Sequence, residues 1–278
     1  QRVGYARSNI FGKLDLTSGY HQMSLSKQAQ AYTAFTCDKG IFQWTRVPMG
    51  LKNAAAYFQR IMTDEVLSGL VNRICEIYID DCIIHAETEE DFLVRLRQVL
   101  ERCKKFNITI NPEKCELGMS EIEILGHTMN KDGCTFSPKK LEEVFEMPLP
   151  KTGTQLLSFL GLVNYFSDHI LGYATIMAPL RSLASRFPGT KIINEWGIEN
   201  TEAFNKAKQA VLELQTLYFI GYNAPVFLHT GASKSGIGSY LFQVIDGKER
   251  AIAFLSKALK GADFRDRGIR NMVLFKEV

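Results

Sequence analysis

Two adjacent carboxylates, Asp80 and Asp81, stand inside an otherwise apolar run from Ile77 to Ile84. Ile74, Cys75, Ile77 and Ile79 on one side, and Cys82, Ile83 and Ile84 on the other, have the composition of strands. A strand pair bending at Asp80-Asp81 puts both acids at the tip of a hairpin. Carboxylates beside such neighbours are costly without a counter-charge. A divalent cation would supply one, because hard cations prefer oxygen ligands. The stretch by itself also admits a plain polar turn between two core strands, where Asp is common.

Other segments must position such a pair. Phe11 to Leu16 alternates as a short strand that runs through Asp15, and Ser18-Gly19 reads as a turn. Ala31–Thr36 and Ile41–Val47 read as strands joined by a hairpin turn at Asp38-Lys39-Gly40. Ala54 to Leu67 reads as a helix. Glu89 to Phe106 is the clearest helix, with Phe92, Leu96, Val99, Leu100 and Cys103 on one face. Thr88 is its predicted N-cap, with acids in the first turn and Arg102, Lys104 and Lys105 in the last. Ile122–Met129 and Cys134–Phe136 flank the hairpin signature Asn130-Lys131-Asp132-Gly133. From Ser137-Pro138 the chain turns helical, with helices predicted over Thr154–Asp168, Gly172–Arg186 and from Thr201. The predicted face of this last helix is Ala203, Ala207, Ala210, Val211 and Leu214. Strands return at Pro225–Thr230, Gly236–Gln243 and Arg250–Leu255, and a final helix is expected after Ala262.

The 278 residues are enough for two domains, or for one large one with appendages. No apolar run reaches the length of a membrane span and no signal peptide opens the chain, so neither a membrane nor a secretory route is expected. Six scattered cysteines include no Cys-x-x-Cys pair, and no histidine sits at zinc-ligand spacing in sequence. They read as reduced thiols in a reducing compartment such as the cytoplasm, with a virus-like particle or the nucleus as alternatives. Residues 1–60 hold eight Lys and Arg against Asp15 and Asp38, a balance of +6 that leaves −3 for the rest of a chain whose net charge is +3. That basic part suits contact with phosphates; a solvated surface with a chance excess gives the same count.

Taken in order, these stretches resemble the motifs of reverse transcriptases. Phe11 to Gln22, with Asp15 and Tyr20, resembles the first catalytic motif, and Arg46 to Arg60, with Met49 and Gly50, the template and nucleotide motif. Tyr78-Ile79-Asp80-Asp81 looks like the signature acidic pair. Asn111 to Cys115 and Leu125-Gly126-His127 resemble the next two. Phe159 to Tyr165 and the segment through Ala178-Pro179-Leu180, Trp196 and Ala203-Phe204 are similar to the thumb and connection of gypsy-type long-terminal-repeat retrotransposon polyproteins. The likeness covers nearly the whole chain.

The resemblance implies an α+β fold. It would comprise a right-hand polymerase palm with an antiparallel sheet and covering helices, a helical thumb, a connection and a truncated ribonuclease H-like α/β domain. Residues 1–136 would be a fingers remnant and palm, 137–222 thumb and connection, and 223–278 the partial ribonuclease H-like domain. The implied function is RNA-directed and DNA-directed DNA polymerisation, with Asp15, Asp80 and Asp81 as catalytic ligands of two Mg2+ ions, or of Mn2+. Tyr20 would be a gate against a ribose 2′-hydroxyl, and Met49 and Gly50 would contact nucleotide and template. Lys114 would be a general acid toward pyrophosphate, or else a surface lysine. Leu125, Gly126 and His127 would hold the primer, through backbone more than side chains. Implied partners are an RNA or DNA template, a primer, dNTPs and another Pol chain or fragment.

Two departures stand against this. The fingers segment before the first motif is shorter than the family implies. In the tail, Thr230-Gly231-Ala232-Ser233 has glycine where the family places an aspartate, and residues 268–272 hold no carboxylate. Loss of those ligands predicts no RNA hydrolysis. The alternative for the whole chain is a catalytically inactive remnant that binds nucleic acid or serves a structural role.

Overall fold

In the computed structural model, residues 5, 8–214, 216–232, 236–258 and 276–277 are described. Apolar alternation in Ile10–Asp15 forms β1, whose Phe11 and Leu14 are buried. β1 is followed by α1 (Gly19–Gln22) and α2 (Lys27–Ala31). Next come the hairpin β2 (Phe35–Cys37) and β3 (Gly40–Phe42), then α3 (Ala54–Arg60), which runs on as a π-helical turn at Ile61–Val66. β4 (Cys75–Tyr78), β5 (Asp81–Ala86), α4 (Glu89–Lys105), β6 (Glu116–Met119) and β7 (Glu121–Ile124) complete the first of two compact units, residues 1–124.

The sheet of this unit is antiparallel, in the order β4-β5-β1-β6, so the two central strands carry the acids. Its core gathers Leu14, Leu16, Phe58, Met62, Cys75, Ile77, Ile84, Phe92 and Val99. Gly12 lets α4 lie flat against β1, since a Cβ there would come within 2.7 Å of the Phe92 ring. Thr88 caps α4 by accepting from the Asp91 amide at 3.2 Å. The buried face of α4 is Phe92, Val99 and Cys103, whereas Leu100 is 40% exposed. The helix presents a narrower stripe than the apolar pattern suggests.

Two expected strands shrink. Ala31 ends a helix, because Ser26 caps it by accepting from the Ala29 amide at 3.2 Å, and the strand begins only at Phe35. Its partner stops at Phe42, beyond which the Trp44 amide bonds the Thr33 hydroxyl instead of continuing a ladder.

The second unit, residues 125–278, begins with the hairpin β8 (His127–Asn130) and β9 (Gly133–Phe136). The expected strand Ile122–Met129 is interrupted, because Leu125 and Gly126 adopt φ of 52° and 76°. Asn130 folds the hairpin tip by accepting from the Asp132 and Gly133 amides. Four helices follow, α5 (Pro138–Phe145), α6 (Gly153–Asn164), α7 (Tyr173–Arg186) and α8 (Ile198–Leu212). Their core is built from Phe159, Val163, Phe166, Met177, Leu180, Phe204, Ala207 and Val211 with Phe136 of β9. From α8, Lys208 donates to the carbonyls of Phe145 and Met147, capping the C-terminal end of α5.

β10 (Leu217–Tyr218) pairs with β9. A separate antiparallel sheet holds β11 (Val226–Ala232), β12 (Gly236–Ile245), β13 (Lys248–Ala258) and β14 (Lys276–Glu277), in the order β13-β12-β11-β14. Asp246 and Gly247, both at positive φ, make the β12–β13 turn. Phe242, Ile252 and Phe254 are buried, and Val226, Leu228 and Tyr240 are half-buried. Gln243, 1% exposed, spends its amide on the Gly221 and Ala224 backbone, so its burial costs little. The final helix expected after Ala262 and the stretch 268–272 lie outside the described residues. No helix among the described residues is long and apolar enough to cross a membrane.

The α4 face yields a direct check. Val99→Ala is expected to cost about 2 kcal/mol through lost burial and a cavity. Leu100→Ala is expected to stay within about 0.5 kcal/mol. Urea unfolding of the two variants measures both, and equal losses would refute this assignment of the face.

Candidate active site

Asp15 ends β1 and Asp81 opens β5, and the two are directly opposite in the antiparallel register. Residues opposite one another point to the same face, so the two carboxylates share a side of the sheet. Asp80 precedes Asp81 in the β4–β5 turn, and its carbonyl accepts from the Leu16 amide at 3.0 Å. The turn residues are Ile79 and Asp80, with Tyr78 paired to Asp81. The hairpin therefore bends one residue earlier than the sequence suggests, and Asp81 belongs to a strand.

That turn carries an unusual backbone. Ile79 has φ of 51°, a left-handed conformation that β-branched residues rarely adopt. Gln59 of α3 holds it from both sides. Its Oε1 accepts from the Ile79 amide at 2.8 Å and its Nε2 donates to the Ile77 carbonyl at 2.9 Å. Two hydrogen bonds of about 1 kcal/mol each offset a left-handed cost of about 1–2 kcal/mol. Gln59 is a positioning residue that the sequence motif contained without revealing its role.

The acid side chains are crowded and electrostatically strained. Asp80 Oδ1 is buried and makes no hydrogen bond. It faces Gly19, where a Cβ would lie 2.0 Å away, and the Phe58 ring also presses on that position. Burial pushes the Asp80 carboxyl above its ordinary range, and the charges of Asp15 and Asp81 push it the same way. Asp81 is raised by burial too, with Asp15 and Glu116 adding to the rise and the Lys13 ammonium opposing it. Lys13 lies two residues before Asp15 on β1 and also pairs with Glu116 at 3.8 Å.

The next motif is tied to the same corner. The Asn111 amide donates to the Asp15 carbonyl at 2.9 Å. Asn111 Oδ1 then accepts from Glu113, opening the 3-10 turn Pro112–Lys114 on which Lys114 is exposed. Gln22 locks the adjoining segment by donating to the Thr17 and Thr109 carbonyls and accepting from the Thr109 amide. Tyr20 is half-buried and meets the Phe58 ring edge-on at 5.7 Å.

Met49 and Gly50 form a turn after the buried Val47 and Pro48. Met49 is 72% exposed and Gly50 has φ of 91°. In the second unit, the Tyr165 hydroxyl donates to the Leu125 carbonyl and pins the Leu125-Gly126 turn. The His127 ring stacks beside Phe136 at 4.4 Å. Asp15, Asp80 and Asp81 are thus brought together with Tyr20 close behind through Phe58. Lys114 is tied to the same corner through Asn111. Met49 and Gly50 stand on a solvent-facing turn, and Leu125, Gly126 and His127 belong to the other unit.

A family model described as reverse transcriptase (RNA-dependent DNA polymerase) matches residues 4–129. Another, described as the RNase H-like domain found in reverse transcriptase, matches residues 196–268. Residues 4–129 thus carry a reverse transcriptase domain, and residues 196–268 an RNase H-like domain of the kind found in reverse transcriptases. Among the chain's relatives are retrovirus-related Pol polyproteins of Drosophila melanogaster. That of transposon opus is 34% identical over 264 residues, covering 91% of this chain and 26% of the relative. That of transposon gypsy is 32% identical, covering 91% and 25%. The Tf2-3 polyprotein of Schizosaccharomyces pombe is 30% identical over 86% of this chain and 18% of its own length. The chain thus spans about a quarter or less of these curated relatives.

Two solved structures share the fold. A foamy viral protease-reverse transcriptase in complex with RNA/DNA hybrid superposes with a TM-score of 0.78 at 23% identity, over 95% of this chain and 35% of that one. A second, in complex with double-stranded DNA, gives 0.80 at 24% identity, over 95% and 45%. The α+β architecture is that of a palm with an RNase H-like domain.

The raised Asp80 carboxyl has a signed consequence. The fold favours protonated Asp80, so stability falls as pH rises from the ordinary value of 3.8 through the raised one, and the penalty is complete above it. Asp80→Asn is expected to raise the thermal midpoint at neutral pH, and the gain should fade as pH drops below 3.8. Melting curves against pH decide this, and a neutral-pH midpoint below that of the unaltered protein would contradict it.

Proposed function

We propose that this reverse transcriptase chain carries out RNA-directed and DNA-directed DNA synthesis for a retrotransposon, extending a primer 3′-hydroxyl with dNTPs. The observation that carries the reading is the cross-strand pair Asp15–Asp81 with Asp80 beside it, one of whose oxygens is buried and unbonded. Three neighbouring carboxylates of like charge fit hard cations, whose preferred ligands are oxygens. Asp15, Asp80 and Asp81 would hold two Mg2+ ions, or Mn2+. Bound there, the ions would make the primer hydroxyl more acidic and spread the charge of the departing pyrophosphate.

The chain's own residues have separate tasks in this reading. Tyr20, braced against Phe58, excludes a ribose 2′-hydroxyl. The Met49-Gly50 turn meets nucleotide and template. Lys114 gives a proton to pyrophosphate, and the Leu125–His127 segment holds the primer by its backbone. The basic residues of segment 1–60 draw in phosphates. Residues 1–136 act as palm with a fingers remnant, 137–222 as thumb and connection, and 223–278 as an RNase H-like part. Support for nucleic-acid partners comes from the solved proteins of this fold, whose complexes contain RNA/DNA hybrid and double-stranded DNA. Six free cysteines suit a reducing compartment such as the cytoplasm. A further proposed partner is another Pol chain or fragment.

Primer extension on RNA and DNA templates tests the reading. Asp80→Asn should lower extension about a hundredfold or more, the order that loss of one preorganised charge-stabilising group costs. Tyr20→Val should admit ribonucleotides. Extension that persists in Asp80→Asn rules out this site.

Gly231 lies on β11 opposite Gly238, where the family resemblance places a carboxylate. A backbone carbonyl does not replace a charged ligand of two Mg2+ ions. This part is therefore proposed to leave RNA uncut, and a second reading of the whole chain as an inactive nucleic-acid-binding remnant draws on the same glycine. Incubation of an RNA–DNA hybrid with Mg2+ or Mn2+ and no dNTPs is expected to give no cleavage. Cleavage retained in an Asp80→Asn background would defeat the proposal.

A further inference from the structure

The second unit gathers a different set of donors. His127 opens β8 directly opposite Phe136 of β9, and Cys134 lies two residues before Phe136. Opposite residues share a face, and so do residues two apart on a strand, so the imidazole and the thiol stand on the same side of the hairpin. His127 Nδ1 and Cys134 Sγ are 3.4 Å apart. His169 reaches the same place from the 3-10 turn Ser167–His169 that follows α6. One ligand atom from each of His127, Cys134 and His169 lies within 4.8 Å of the other two. Cys134 and His169 are each only 4% exposed.

We propose that His127, Cys134 and His169 bind one Zn2+ ion, with water as the fourth ligand. Zinc bonds of ~2.0–2.1 Å to nitrogen and ~2.3 Å to sulfur in a tetrahedron place such ligand atoms roughly 3.3–3.6 Å apart. The His127–Cys134 pair already has that spacing, and a His169 nitrogen lies within 4.8 Å of both partners. A thiolate with two imidazoles selects a borderline-soft ion and rejects Mg2+, which requires oxygen. His169 also lines a cavity of about 370 Å³ with Glu213 and Glu249.

The surroundings restrain the ligands. Phe136 packs against both rings, at 4.4 Å from His127 and 4.5 Å from His169. The ion would clip the β8–β9 hairpin to the end of α6, next to the turn that Tyr165 pins at Leu125. Among the described residues, the cysteines of the first unit form no comparable cluster of three ligands.

Titration of the purified chain with Co2+ under a thiol-free reductant tests the assignment. The expected result is one Co2+ per chain, with thiolate-to-cobalt absorption and tetrahedral visible bands that Zn2+ abolishes by displacement. Cys134→Ser should remove the thiolate absorption, whereas Cys37→Ser, which alters the exposed cysteine, should keep it. His169→Gln should weaken zinc binding at least about a hundredfold, a loss that even an outer-shell partner can cause. Zinc should also raise the thermal midpoint of the unaltered chain. Absence of the thiolate–cobalt band in the unaltered chain overturns the proposal whether or not the variants fold. A band that survives Cys134→Ser overturns it as well.

Discussion

Like-charge repulsion sets the terms for the first unit. Carboxylates at the spacing of a cross-strand pair repel by a few kcal/mol even at an effective dielectric of ~20. The chain meets this cost with backbone geometry. The β1–β5 register fixes Asp15 opposite Asp81, and that register is secured by a continuous run of pairs back to Ile10 and Ala86. Asp80 is held by the turn, and the turn by Gln59. The cost falls on elements whose own packing is secure, since Phe58, Met62, Ile77 and Ile84 are all buried around them. A site built on strand ends keeps its geometry better than one built on free loops.

The supporting contacts run through backbone atoms at nearly every step. Asp15 offers its carbonyl to Asn111, Asp80 offers its carbonyl to Leu16, and Gln22 stitches Thr17 to Thr109. The carboxylates are therefore left out of the structural bonding. Burial raises the carboxyls of Asp80 and Asp81, and the fold supplies Lys13 as a counter-charge to Asp81 but gives Asp80 none of comparable weight. An acid used as a structural ion pair would show the opposite shift.

Much of this was legible in the sequence. The acidic pair, Asp15, the cap at Thr88 and the turn at Asp246-Gly247 are local signals, written in a few neighbouring residues. The resemblance to reverse transcriptases rested on such signals in order, and the family matches agree with it. What stayed hidden depends on contacts distant in sequence. Gln59 acts on a turn twenty residues away, and nothing in its own neighbourhood marks that role. Ala31 looked extended until the Ser26 cap made a helix of it. Leu100 fits the apolar period of α4 yet is 40% exposed. The cysteines and histidines showed no zinc spacing along the chain, since His127, Cys134 and His169 come from a hairpin and from a turn beyond the next helices.

Two glycines show why the same residue type carries different information in the two units. Gly19 is required by its surroundings: a Cβ there would lie 2.0 Å from Asp80 Oδ1 and 2.9 Å from the Phe58 ring. Any larger residue would push the acid out of its place or open α1 from the sheet, so the glycine is bound to the carboxylate it accommodates. Gly231 is under no such demand. Its φ lies outside the left-handed region, and a Cβ there would meet nothing within 4 Å among the described residues. Packing and backbone strain would both accept an aspartate at that position. Among the described residues, no packing contact requires glycine at 231. The strand keeps its seven-residue pairing with β12 regardless. The sheet can thus persist as a folded element independently of any hydrolytic chemistry, because its stability lies in pairing and in Phe242, Ile252 and Phe254 rather than in a carboxylate at its surface.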